Sequence, residues 1–215
     1  MSEEHLQLNH VRSTALFPSR VDNYAVPDCA TFNASLLEAI AARRAAEPGI
    51  DSSNQIGWHS ERDLFAREEA PFQTLMRYIK GAIGDSIKRY WPDFTPESWI
   101  YFLNGWVNIN GQGAFNTPHA HAGFHLSGCY YVAVPHSPKG RSGQIEFLNP
   151  AGAMTAGEDE LSMRMIKPLH RIQPKAGQML IFPSYLRHWV YPNQEAEDRV
   201  TIAFNMRLAE RDPRA

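Results

Sequence analysis

Two long stretches of this chain alternate with a period of two, and they limit its fold more than anything else in it. Between Trp99 and Asn110, Trp99, Tyr101, Leu103, Val107 and Ile109 fall on one parity, and Asn104, Trp106, Asn108 and Asn110 on the other. Across 199–208, Val200, Ile202, Phe204, Met206 and Leu208 form an unbroken apolar set opposite Arg199, Thr201, Ala203 and Asn205. Successive side chains of a strand point to opposite faces, so each stretch is a strand with one face made for a core. The other face either meets water or lines a pocket, and both readings stand for Asn104, Trp106 and Asn108. Arg199 is either a surface arginine at a strand start or one turned inward, where an unpaired charge calls for an anionic partner.

Further strands are expected at 128–134, 144–148, 171–174, 178–182 and 188–191, parted by Pro138-Lys139-Gly140, Pro174-Lys175-Ala176-Gly177 and Pro192-Asn193. The first part of the chain reads differently. Residues 11–30 read as loop with short extended pieces. Phe32, Leu36, Leu37 and Ile40 mark a helix over 32–46, with Thr31 as N-cap and Pro48-Gly49 as stop. After a turn-rich 49–62, Phe72, Leu75, Met76, Ile79, Ile83, Ile87 and Tyr90 keep helical spacing from Ala70 to Tyr90, where Trp91-Pro92 ends the run. Short strands behind two helices predict a mainly β sandwich or barrel with the helices buttressing one face. It reads as a single domain over 1–215, with 1–95 the helical and loop part and 96–210 the β core.

Composition narrows the function. A net charge of -2 gives no electrostatic footprint for nucleic acid or an anionic membrane. No apolar run approaches the roughly 20 residues of a membrane span. Met1-Ser2-Glu3-Glu4-His5 has neither the basic nor the apolar region of a secretory signal. The two cysteines, Cys29 and Cys129, cannot make a Cys-rich zinc site or a disulfide framework, and Cys129 reads as a small buried hydrophobe. A soluble, cytoplasmic protein is the expectation.

The chemistry-bearing residues gather in the second half. Pro118-His119-Ala120-His121 sets two imidazoles at i and i+2, on one face of an extended segment. Imidazole nitrogen is a common ligand for iron, zinc, copper and nickel. His188 opens a separate expected strand and is a candidate third ligand, which gives the two-near-one-far arrangement of a facial triad. His125 is a competitor offset by a glycine, whereas His59 reads as a surface or packing histidine. An inward Arg199 could hold a carboxylate bidentately beside such a metal.

Taken in order, these pieces resemble a known family. Trp106-x-Asn108, Pro118-His119-x-His121, Leu126-Ser127-Gly128-x-Tyr130-Tyr131-Val132, Pro174-x-x-Gly177, Phe182-Pro183-Ser184-x-Leu186-x-His188 and Arg199-x-x-x-Ala203-Phe204-Asn205 are similar to motifs of the bacterial and phage 2-oxoglutarate/Fe(II)-dependent oxygenases. The resemblance runs from about Gly57 to Asn205. It implies a double-stranded β-helix, or jelly roll, with Fe(II) as metal and 2-oxoglutarate as cosubstrate. O2 and a second, prime substrate whose C–H bond is hydroxylated complete the expectation. His119, His121 and His188 become the metal ligands, Arg199 the clamp on the distal carboxylate of 2-oxoglutarate, and Asn108 and Asn205 its neighbours. Asn104, Trp106 and Tyr131 are expected about the substrate pocket.

One position departs from the pattern: His121 stands where most of that superfamily has Asp or Glu. Neutral imidazole in place of carboxylate leaves the site one unit more positive. A three-histidine face also resembles that of cupin-type dioxygenases that do not use 2-oxoglutarate, and a non-catalytic metal- or ligand-binding jelly roll is a third reading. At the ordinary histidine pKa, metal affinity is expected to fall as pH drops through about 6.5.

Overall fold

The computed structural model describes residues 18–136, 140–151, 160 and 167–211. Most of 11–20, the expected turn at Pro138-Lys139 and the first residues of the sequence lie outside them. Helix α1 spans Cys29–Ala46, and Asp28 precedes it with φ 46. Left-handed backbone is tolerated better by Asp than by bulkier residues, so the helix starts ahead of Thr31, which falls in its first turn and does not cap it. Leu36 and Ile40 are buried, whereas Leu37 stays 37% exposed at the edge of the stripe. Helix α2 runs over Ala70–Tyr90 as the spacing predicts, with Pro71 in its first turn, where no backbone N–H is needed. Phe72, Leu75, Ile79 and Ile83 are buried almost completely, each contributing about 1.5–3 kcal/mol.

Among the described residues the strands are β1 Asp22–Ala25, β2 Asn54–Gln55, β3 Trp58–His59, β4 Trp99–Asn110, β5 Phe115–His119, β6 Leu126–Ala133, β7 Ile145–Leu148, β8 Leu169–Ile172, β9 Gln178–Pro183, β10 His188–Val190 and β11 Arg199–Glu210. One sheet has the order β1-β9-β6-β11-β4-β3 and the other β2-β5-β10-β7-β8. Every strand pair within them is antiparallel. The arrangement is the double-stranded β-helix, with the helices on the outer face of the larger sheet.

Alternation along β6 and β11 separates two apolar clusters. Tyr130, Val132, Val200, Ile202, Phe204 and Met206 pack with Leu36, Ile40, Phe72 and Leu75 under the helices. Tyr131, Leu180 and Phe182 instead join Ile145, Phe147, Leu186 and Val190 between the sheets. The pocket-side parity of β4 and β11 therefore looks into the space between the sheets. Several strands differ from expectation: β6 starts at Leu126, two residues before Gly128, and β11 runs on to Glu210. β8 starts at Leu169, two residues before Arg171, and β5 was not expected as a strand, because Pro118 and its short partner β2 leave it a weak β pattern.

Candidate metal centre

Strand pairing brings the first two imidazoles together. His119 ends β5 and lies opposite His188, the first residue of β10, with ring centroids 4.5 Å apart. His121 follows just beyond the end of β5, its ring 4.9 Å from that of His119 and 5.3 Å from that of His188. One ligand nitrogen from each lies within 4.8 Å of the others. His119 Nδ1 is 2.6 Å from the Thr117 carbonyl, and His188 Nδ1 is 2.9 Å from that of Leu186. A carbonyl only accepts, so each Nδ1 carries the proton and each Nε2 keeps a lone pair for the cluster.

Burial also fixes the protonation state. Desolvation, with the neighbouring His119 adding to it, pushes His188 down to about 3. Burial, then His119 and Arg62, push His121 down to about 4. Burial lowers His119 as well. All three are neutral at neutral pH, which is the form that ligates. Three neutral, converging nitrogens suit a divalent transition metal, so the residues fit iron.

The cavity that opens on these histidines is walled by Trp106, Asn108, Arg199, Thr201 and Ala203. Asn108 and Trp106 are each 6% exposed, so this face of β4 does not look into water. Arg199 is 2% exposed. Its Nε donates to the Gly143 carbonyl at 3.1 Å, and its guanidinium carbon lies 5.1 Å from the Tyr131 ring centroid. Among the described residues no carboxylate lies within ion-pair distance of it. Among the described residues Asn108 Oδ1 is buried without a hydrogen-bond partner, and Tyr131 Oη has the Arg199 guanidinium and the Cys129 thiol beside it. A buried cation beside an orphaned polar atom is expensive unless a ligand completes it, and a slender dicarboxylate fits that description.

Other expected residues lie elsewhere. Asn205 does not border the cavity: its Oδ1 accepts from Ser127 Oγ at 2.8 Å. Asn104, opposite Asn205 in the β4–β11 register, is also off the cavity wall, and Tyr131 lies behind it, against Arg199 and Cys129. His125 is turned to β11, its Nδ1 accepting from the Leu208 N–H at 3.0 Å. His59 is the packing histidine, 2% exposed and stacked on Trp106 at 5.6 Å. Burial pushes the Cys129 thiol up, which favours the protonated, less reactive form. The carbonyls of Thr117, Leu186 and Gly143, which orient two ligands and Arg199, have no side-chain signal and escape a reading of sequence.

Residues 104–205 match a family described as "Putative 2OG-Fe(II) oxygenase". No match to a curated protein was found. Among solved structures, a Pseudomonas putida prolyl-4-hydroxylase is similar at 18% identity, with TM-score 0.57 over 89% of this chain and 93% of its own. The viral collagen prolyl hydroxylase of Paramecium Bursaria Chlorella virus-1, in its 2OG complex, is 12% identical, with TM-score 0.53 over 88% and 96% of the two chains. HygX from Streptomyces hygroscopicus, with nickel and 2-oxoglutarate bound, is 11% identical, with TM-score 0.54 over 87% and 82%. At these identities the likeness is one of fold.

Proposed function

We propose that this chain is a 2OG-Fe(II) oxygenase, a reading supported by the family match over residues 104–205, in which His119, His121 and His188 hold Fe(II) while Arg199 holds the distal carboxylate of 2-oxoglutarate. The observation that carries this reading is the pairing, in one cavity, of three neutral imidazoles with a buried arginine that has no carboxylate partner among the described residues. A cupin-type dioxygenase without 2-oxoglutarate has no use for that guanidinium.

Together, iron and 2-oxoglutarate supply oxidative decarboxylation, with O2, to succinate and CO2, and the hydroxylation of a C–H bond. The protein's part is placement. Thr117 and Leu186 hold two imidazoles with Nε2 forward. Arg199, oriented by the Gly143 carbonyl, offers a planar fork that grips a carboxylate in one orientation. Asn108 and Thr201 border the space between clamp and histidines, with Asn108 a hydrogen-bonding group beside the cosubstrate. Trp106, 5.9 Å from the His121 ring, forms the wall that keeps water from the ligands and faces the prime substrate. Among the described residues no helix is long and apolar enough to cross a membrane, and a cytoplasmic enzyme fits the cysteine usage.

Anaerobically purified protein loaded with Fe(II) tests the reading. It should bind one iron per chain, take up 2-oxoglutarate, and on admission of O2 release succinate even without prime substrate. Iron binding without 2-oxoglutarate uptake would favour the cupin-type or binding-only alternatives.

A further inference from the structure

His121 lies outside the ladder of its own strand. β5 ends at His119, so the sheet does not hold the next residues. The His121 N–H donates instead to the Ser184 carbonyl at 2.9 Å, and the Ser184 N–H donates to the His125 carbonyl at 3.0 Å. One residue thus closes both ends of the 121–125 loop. Ser184 also follows Pro183, the last residue of β9, and begins the turn that leads to His188. In that turn the Leu186 N–H donates to the Pro183 carbonyl at 2.9 Å, and the Leu186 carbonyl receives His188 Nδ1–H. Ser184 therefore stands where the segments of His121 and His188 meet.

Its side chain is anchored in the larger sheet. Ser184 Oγ is 2.7 Å from Ser127 Oγ on β6, and Ser127 Oγ donates to Asn205 Oδ1 on β11 at 2.8 Å. A hydroxyl has one proton. Ser127 gives its proton to Asn205, so Ser184 donates to Ser127, and the chain has one direction. Ser184 and Ser127 are 1% exposed and Asn205 3%. Each is a polar break in an otherwise apolar motif, and the proposed chemistry uses none of them. Apolar residues in all three places would cost little stability, whereas a satisfied buried network fixes one arrangement.

We infer that Ser184, anchored by Ser127 and Asn205, is a positioning residue that sets His121 against His188. The inference rests on His121 being a ligand. Partners of this kind typically change metal affinity ten- to a hundredfold when removed. Co(II), titrated into metal-free protein, reports affinity and, through its visible bands, the ligand geometry. Ser184→Ala and Asn205→Ala should weaken Co(II) about tenfold and move its bands toward those of His121→Ala. Ser184→Thr, which keeps the hydroxyl, should stay close to wild type. Ile79→Val, in the helix-side core, should lower Tm and leave the bands alone. If Ser184→Ala does not fold, Ser127→Ala and Asn205→Ala give the same reading. Wild-type affinity and bands in the folded alanine variants, with His121→Ala impaired, would overturn the inference alone. Wild-type behaviour of His121→Ala would overturn the ligand assignment beneath it.

Discussion

Arg199 is the residue on which the cosubstrate assignment turns, and its burial gives two opposed expectations. Among the described residues the guanidinium has no anionic partner, so Arg199→Met should leave the Tm of the ligand-free protein unchanged or raise it. With ligand present, losing one half of a buried charge pair costs on the order of 2–5 kcal/mol. Titration of 2-oxoglutarate into iron-loaded Arg199→Met should therefore show affinity at least about thirtyfold weaker, with metal content unchanged. Arg199→Lys should recover little, because an ammonium lacks the fork. The histidines change the pH expectation as well. Their pKa values are depressed, about 4 for His121 and about 3 for His188, so the unfolded chain binds more protons below about 6.5. Metal-free protein should lose stability as pH falls from about 6.5 toward 3, read as a falling Tm. Metal affinity should hold below the 6.5 expected of ordinary histidine, because burial lowers all three imidazoles, and should be lost on further acidification. Spacing put His119 and His121 on one face and offered His188 as a third, whereas the inward role of Arg199 came from the family resemblance. Spacing could not reveal the histidine pKa values, because burial depends on which strand lies opposite which.

At the scale of the element, β4, α2 and β11 were legible because each carries a long pattern of a single period. Their outcomes match to within a few residues: α2 is Ala70–Tyr90 as read, and β11 extends to Glu210 from an expected end at 208. Short elements were not legible. β5 has five residues, one of them proline, and its partner β2 has two, so pairing and not pattern makes them strands. Asn205 misled for a related reason. Parity placed it on the inward face, correctly, but depth along the strand separates the cavity at Arg199, Thr201 and Ala203 from the Ser127 network. Gly128 in β6 shows how tightly the central strands meet. A Cβ there would collide with the Leu180 carbonyl of β9 and the Phe204 ring of β11, and neither is free to retreat from the sheet. Gly128→Ala should destabilise by about 1–3 kcal/mol or more, seen as a lower midpoint in urea at unchanged slope.

In the whole molecule, stability and chemistry draw on different cores. One apolar cluster joins the helices to the larger sheet, and the other lies between the sheets, where Phe182 and Phe147 stand 4.8 Å and 5.9 Å from the His188 ring. The three candidate metal-binding histidines border the second. A metal at a hundred times its Kd stabilises by about 2.7 kcal/mol, which for a chain of this size raises Tm by about 5–10 °C. Chelation should remove that increment and leave the secondary structure in place, since the helix-side cluster does not involve the histidines. Leu75→Ala, in the helix-side cluster, should cost about 2–5 kcal/mol with and without metal alike, because distant sites add. Phe182→Leu, in contact with His188, should instead shrink the metal increment itself. Melting the three proteins with Co(II) and with chelator measures both effects. An increment that fell equally in Leu75→Ala and Phe182→Leu would show that the two cores are coupled, and the division of labour between them would be wrong.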